Sequence, residues 1–309
     1  MVQIKTQLKN NALFSRAYSQ FIPRFIQISP YLATKFLYKR ATKKPLNLRN
    51  PTNFNEKIQW LKLYWQHPLV VTCGDKYELR HYAKEAGCEV ILNDLYGVYA
   101  NASEIDWAAL PQKFVLKVTS GCGFNIVCPD KQQLDKKAAA AKLNHWLQID
   151  YGLERAELHY SKMTPRIICE KFIETEDGAL PIDYKIFCFH GTPRLVLVAL
   201  DRATEVKRFF FDLDWNPIDF EKGSATAEPD NVTPPKSFKD MLYYAEKLAT
   251  PFLFVRIDFY DADGQPVLGE MTFTPDRGMA THYNETTLNT LGNMIHLPRD
   301  KGTASLSPE

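Results

Sequence analysis

With 309 residues, 45% apolar and 24% charged, the chain has the composition of an ordinary folded protein, with material for one large or two to three smaller lobes. It lacks any run of roughly 18 uninterrupted apolar residues and any secretory-signal pattern at the N-terminus, so a cytoplasmic address is expected. Six cysteines without a CxxC pair and seven histidines without zinc-type spacing argue against a disulfide frame or metal cluster and for buried thiols.

The net charge of +2 conceals an asymmetry: residues 1–50 hold ten of the 38 basic residues and no acid, which leaves 28 basic against 36 acidic residues in the rest. Leu13, Phe14, Ala17, Tyr18, Phe21 and Ile22 follow helical spacing before Pro23, and Tyr31, Leu32, Phe36 and Leu37 repeat it after Pro30. Two short amphipathic helices are expected. A face packed on the core is the commoner source of such a pattern, the absence of any acid keeps contact with an anionic surface such as the inner face of a membrane open, and a cleaved transit peptide ranks lower.

Asn53 and Glu56 have capping-box spacing ahead of the periodic Ile58, Trp60, Leu61, Leu63 and Tyr64. A second helix runs from about Asp75 to Gly87. Val90–Leu92, Gly97–Tyr99, Phe114–Val118 and Ile126–Cys128 read as strands, and Lys131–Ile149 as an Ala-rich helix stopped at Tyr151-Gly152. Strands are then expected at Ile167–Ile173, Tyr184–Phe189, Arg194–Leu200 and Lys207–Phe211. A helix capped by Ser237 and Asp240 follows, then a hairpin, Phe254–Tyr260 with Pro266–Met271, turning at Asp263-Gly264. Helices mixed with antiparallel hairpins indicate an α+β fold.

Three segments carry chemistry. In Phe114–Val127, glycines 121 and 123 allow a ligand close to the backbone, and Lys117 on the strand before them offers a charge for phosphate; an ordinary hairpin with a solvent-facing lysine shares the pattern. Asp258 and Glu270 stand on two strands joined by a tight turn, hard oxygen ligands suited to magnesium. Arg256 shares a face with Asp258 by alternation, as would a structural salt bridge. In Arg166–Ile173, the apolar run is interrupted by Glu170-Lys171, which must be paired or turned outward, and Lys185 adds a cation if the next strand pairs with this one.

Taken in order, FNEKIQWLKLY (Phe54–Tyr64), DKYELRHYAKEAG (Asp75–Gly87), LPQKFVLKVTSGCGFN (Leu110–Asn125), DYKIFCFHG (Asp183–Gly191), VRIDFY (Val255–Tyr260) and GEMTFTP (Gly269–Pro275) resemble the ATP-grasp superfamily. The resemblance is closest to the TupA-like family associated with teichuronopeptide and other bacterial surface polysaccharides, over about residues 50–298. It implies two α+β lobes clasping ATP, with Lys76 and Lys117 on the phosphates and Ser120–Asn125, including Ser120, Gly121 and Gly123, as a lid. By the same resemblance, Glu170, Lys171, Phe172 and Ile173 contact adenine, and Glu176 or Asp177 binds ribose. Lys185 looks toward the phosphates, Asp258 and Glu270 bind metal, and Arg256 neutralises developing charge. Arg277, just beyond the metal strand, is a candidate for holding a carboxylate, with a surface salt bridge as the alternative. The superfamily often has Asn two residues beyond the metal-binding Glu, where this chain has Thr272, a poorer ligand for a second metal.

The resulting expectation is a basic helical region (1–50), a pre-ATP-grasp segment (51–112), a lobe with the glycine loop (113–175) and a lobe with the metal-binding strands (176–309). The expected activity uses ATP and Mg2+ to activate a carboxylate as an acylphosphate and join it to an amine, modifying a surface polysaccharide or its precursor. A small-molecule amine and a carboxylate or glycan acceptor are the expected partners, with peripheral membrane contact and no nucleic acid. Two rival readings are a glycosyltransferase, for which the DxD strings Asp212–Asp214 and Asp261–Asp263 are candidates although both lie at turns, and a nucleotide-binding module without turnover.

Overall fold

In Phe114–Val118 the alternate residues Phe114, Leu116 and Val118 are buried, while Val115 and Lys117 face the other way. That parity builds the first of two sheets. In the computed structural model, which describes residues 20–174, 181–200, 207–220 and 232–298, strands β1 (Leu95–Tyr99), β2 (Phe114–Val118), β3 (Asn125–Cys128) and β4 (Ile167–Lys171) form an antiparallel sheet in the order β1-β4-β2-β3. Its core side gathers Phe114, Leu116, Val118, Ile167 and Cys169 around Leu143 of an overlying helix.

The second sheet comprises β5 (Asp183–Phe189), β6 (Thr192–Leu200), β7 (Lys207–Phe211), β8 (Pro217–Ile218), β9 (Phe254–Ala262) and β10 (Gln265–Thr272), in the order β10-β9-β5-β6-β7-β8, antiparallel throughout. The expected hairpin at Asp263-Gly264 is present, with both residues at positive φ.

The helices in chain order are α1 (Pro30–Thr42), α2 (Phe54–Tyr64), α3 (Pro68–Gly74), α4 (Glu78–Glu85), α5 (Lys136–Leu147), α6 (Tyr151–Arg155), α7 (Phe238–Ala249) and α8 (Glu285–Asn293), with residues 20–28 also helical. Asn53 caps α2 through Glu56 N–H at 3.0 Å, as its spacing implies, while the Glu56 carboxylate accepts from Thr52 N. Other polar residues of the same motif bind distant backbone. Asn55 makes a two-way pair with Ala280, Gln59 donates to the carbonyls of Arg277 and Gly278, and Lys57 donates to those of Gly292 and Ile295. Helix α2 is therefore the clamp that holds the chain beyond β10. Residues 51–112 divide between the two cores, the helical part packing with the six-stranded sheet and β1 joining the four-stranded one.

Several elements differ from expectation. Glu89–Ile91 is a 3-10 turn rather than a strand, and only Leu92 makes a bridge, to Leu268. The Ala-rich helix starts at Lys136, because Asp135 caps it through Ala138 N. Tyr151-Gly152 opens α6 under an Asp150 cap instead of stopping a helix. Helix 20–28 runs through Pro23; the first part of the basic region, residues 1–19, lies outside the described residues. Ser237 precedes α7 without capping it, its hydroxyl donating to Asp261 instead.

Candidate active site

Strand alternation on β9 puts Val255, Ile257 and Phe259 in the core and leaves Arg256, Asp258 and Tyr260 on the opposite face. Register then sets neighbours across it: Asp258 lies opposite Lys185 of β5 and Glu270 of β10, and Arg256 lies opposite Thr272. The expected pairing of Asp258 with Glu270 is thus realised, and Lys185 stands beside them.

Arg256 holds Asp258 bidentately, Nε to Oδ1 and Nη2 to Oδ2, both at 2.7 Å, and Lys185 Nζ bridges Asp258 to Asp183. Arg256 Nη2 also donates to Thr272 Oγ1 at 3.1 Å, and Thr272 donates to Glu270 Oε1 at 3.3 Å. Burial pushes the Asp258 carboxyl above the ordinary aspartate value, opposed by Arg256 and Lys185. Glu270 is different: burial alone would raise it, but Lys76, Lys185, Arg256 and Lys117 together hold it at about 2. Its nearest cations are Arg256 Nη2 at 3.6 Å and Lys76 Nζ at 3.7 Å, longer than hydrogen bonds, and its side chain remains one-third exposed.

The other sheet supplies the facing half. Lys117 points off β2 away from the core and donates to Glu170 Oε2 at 2.7 Å; Arg80 of α4 takes the other oxygen at 3.3 Å. Burial works against the charge of Lys117, but Glu170, then Tyr260 and Glu270, outweigh it and leave the amine above its ordinary value. Glu170 is therefore paired rather than turned outward, whereas Lys171 is exposed and lies 3.2 Å from Asp94. Val115, Lys117, Asn125, Lys171, Phe172 and Ile173 line a cleft of about 90 Å³ together with Tyr260 of the other sheet.

Asp75 opens α4 by accepting from Tyr77 N and Glu78 N, which sets Lys76 against the glycine loop. Lys76 donates its backbone N–H to Thr119 O and its Nζ to Gly121 O at 2.9 Å. Ser120 is buried; Gly121 and Gly123 have φ of 94° and 78°, the left-handed region that a side chain disfavours. Glu176 and Asp177 lie outside the described residues. Arg277 stands apart from the cluster on a turn with φ of 61°, where its charge acts on Glu157 and Lys62.

Three contributors were not anticipated: Arg80, Asp183 and Tyr260. Alternation alone marks Asp183 with Lys185 and Tyr260 with Asp258, so the signal for two of them was present; Arg80 carries none. Both DxD strings serve turns. Asp212 Oδ1 accepts from Asp214 N and Asn216 N, and Asp261 accepts from Gly264 N and from Ser237.

Among curated protein sequences nothing matches. Solved structures that resemble the chain include a D-alanine–D-alanine ligase from Bacillus anthracis complexed with ATP (16% identity, 72% of this chain and 65% of that one, TM-score 0.44). A Helicobacter pylori D-alanine–D-alanine ligase (14%, 79% and 70%, TM-score 0.43) and an ADP complex of PurK, an N5-carboxyaminoimidazole ribonucleotide synthetase (14%, 75% and 52%, TM-score 0.42), are similar at the same distance. The chain thus spans about two thirds or less of the Bacillus and PurK structures, and the weight falls on sequence. The family model described as TupA-like ATP-grasp matches residues 56–296, a stretch that contains both sheets and every described member of the charged cluster. The chain belongs to the TupA-like ATP-grasp family.

Proposed function

We propose that the chain is an ATP-dependent carboxylate–amine ligase. The observation that carries this reading is the convergence of four cations on Glu270: Lys76 and Lys117 beside the glycine loop, and Lys185 and Arg256 on the opposing sheet. Such a group is matched to a polyphosphate placed between the lobes, since oriented fixed charges do most of the work in phosphoryl transfer. The side chains of Val115, Phe172, Ile173 and Tyr260 along the cleft support adenine binding there, and Glu176 or Asp177 remains the ribose candidate.

The residues fit magnesium unequally. Glu270, ionised, partly exposed and without a cation at hydrogen-bond distance, suits an ion that keeps waters and bridges to phosphates. Asp258 has both oxygens engaged by Arg256 and Lys185, so it reaches a metal only by exchanging one of them. Bound magnesium would neutralise phosphate charge. The γ-phosphoryl group passes from ATP to a carboxylate oxygen and ADP leaves. The amine then attacks the acyl carbon; the C–N bond forms as the C–O bond to phosphate breaks, and phosphate and a proton are released. Lys76 and Lys117 hold the phosphates, Lys185 and Arg256 offset charge as it develops, and Arg277 is the candidate for an incoming carboxylate. Family membership supports a surface polysaccharide or its precursor as the acceptor.

Trapping tests the chemistry. Incubation with ATP, magnesium, hydroxylamine and a panel of uronates and amino acids should release ADP and yield a hydroxamate, and Glu270→Gln should abolish both. Sugar transfer from a nucleotide sugar, with neither product formed, would promote the glycosyltransferase reading instead.

The basic region supports a second proposal, peripheral binding to an anionic membrane. Phe21, Ile28, Tyr31, Leu32 and Phe36 are exposed on the same segment as Arg24, Lys35, Lys39 and Lys43, the pairing of apolar and basic groups that an anionic leaflet attracts. No helix among the described residues is long and apolar enough to cross a membrane. Co-sedimentation with phosphatidylserine vesicles should be lost in high salt and on changing Phe21, Ile28 and Leu32 to Ser; salt-insensitive or absent binding overturns it.

A further inference from the structure

A cavity of about 500 Å³ lies beside the charged cluster, a volume typical of small-molecule sites. Parity locates it. Phe254 precedes Arg256 by two residues on β9 and so continues the face that carries Arg256 and Asp258, while Phe273 and Thr274 line the cavity just beyond the end of β10. Helix α3, which supplies Val70 and Val71, ends two residues before Lys76. Trp65, Leu158 and Phe273 complete a mainly apolar wall.

Polar residues line it as well, and whereas Gln66 accepts from Lys162 at 2.9 Å, Lys62 is buried without a partner. Its Nζ is shielded from solvent and has no hydrogen-bond partner. A buried donor left unpaired is costly, and a charged one more so. Glu157 is its counterpart: one oxygen accepts from Thr274, which lines the cavity, and Oε2 has no partner. The charges acting on Lys62 are those of Glu157 and Arg277, whereas Lys76, Lys117, Lys185 and Arg256 act on Glu270. An anion seated on Lys62 would meet a buried donor that no group of the chain occupies. It serves as an anchor, and the group that reacts is a different one on the same molecule.

We propose that this cavity receives the amine substrate, an α-amino acid with an apolar side chain whose carboxylate pairs with Lys62 and whose ammonium is drawn toward Glu157 behind Thr274. The inference rests on the ligase reading above and adds the class of its nucleophile. Of the other polar groups on the wall, Gln66 and Lys162 bond each other and His67 Nδ1 accepts from Leu69 N, while Trp65, Val70 and Phe254 suit a leucine- or phenylalanine-sized body.

Calorimetry on the full chain, with a non-hydrolysable ATP analogue and magnesium present, tests it with L-phenylalanine, L-leucine, L-glutamate and L-phenylalaninamide. L-Phenylalanine or L-leucine should bind, and removing the carboxylate, as in the amide, should weaken binding by about tenfold or more. Lys62→Met should erase the difference between acid and amide while leaving nucleotide affinity unchanged. Val71→Trp, which keeps Lys62 and fills the cavity, should weaken the apolar amino acids selectively; it and the amide comparison decide the matter if Lys62→Met does not fold. Equal binding of acid and amide, preference for L-glutamate, or no binding of any apolar amino acid overturns the proposal. Loss of the ligase reading is separate: it shows as absent nucleotide binding and no hydroxamate, whatever the amino acids do.

Discussion

Arg256 and Asp258 exchange two charge-assisted bonds at 2.7 Å with only 13% and 4% of their side chains exposed. Removing one partner of such a buried pair leaves the other charge uncompensated, a loss of about 3–5 kcal/mol. Arg256→Met should therefore lower urea-unfolding stability by that order, and Arg256→Lys, which keeps the charge but not the fork, by less. A stability change below 1 kcal/mol in Arg256→Met would mean that Lys185 alone holds Asp258. Glu270 allows a test by pH. Its folded value is depressed to about 2 from an ordinary 4.5, so its ionised form stabilises the fold above pH 4.5, and this contribution is lost as pH falls from about 4.5 toward 2. The stability difference between wild type and Glu270→Gln should shrink across that window. A difference that stays constant there would show that the four cations do not act on Glu270 as their geometry implies.

At the level of elements, the contact between α2 and α8 has little room for change. A Cβ at Gly292 would come within 2.5 Å of Thr52 O and 2.8 Å of Asn53 Cα, backbone atoms of the turn that caps α2. Alanine is the better helix former by about 1 kcal/mol, yet overpacking costs about 1–3 kcal/mol, and backbone cannot rotate away as a side chain can. Gly292→Ala should thus lower the melting temperature and expose the 275–280 turn, which α2 holds through Asn55 and Gln59, to faster hydrogen exchange. Unchanged melting would show that α8 shifts freely on α2.

Across the whole molecule, the two sheets meet where Lys76 and Lys117 approach Glu270 and Tyr260, so nucleotide bound there would tie both lobes together. At a hundredfold excess over Kd, a ligand specific to the folded state contributes about 2.7 kcal/mol. ATP with magnesium should raise the melting temperature of the wild type, and Lys117→Met should remove most of that rise by taking away one of the two cations proposed to hold the phosphates. An equal rise in both proteins would place the nucleotide elsewhere.

How much of this was legible beforehand follows from the range of the interactions. Alternation within β2 and β9, the Asn53 cap and the Asp263-Gly264 turn depend on neighbours a few residues apart, so the sequence alone determined the hairpin that aligns Asp258 with Glu270 and the face that carries Arg256. Motif order likewise pointed to the two-lobed fold. Tertiary structure decided what local pattern does not encode: that Glu170 is shared by Lys117 and Arg80 rather than exposed, that Asp183 completes the Lys185 bridge, and that Val90–Leu92 makes a turn whose end touches Leu268. It also brought Lys62, from the last turn of an amphipathic helix, into a cavity closed by Phe254 of β9 and by Leu158, His159, Lys162, Phe273 and Thr274. Those outcomes depend on partners tens to hundreds of residues away, where burial and charge are set by packing and not by the chain's own period.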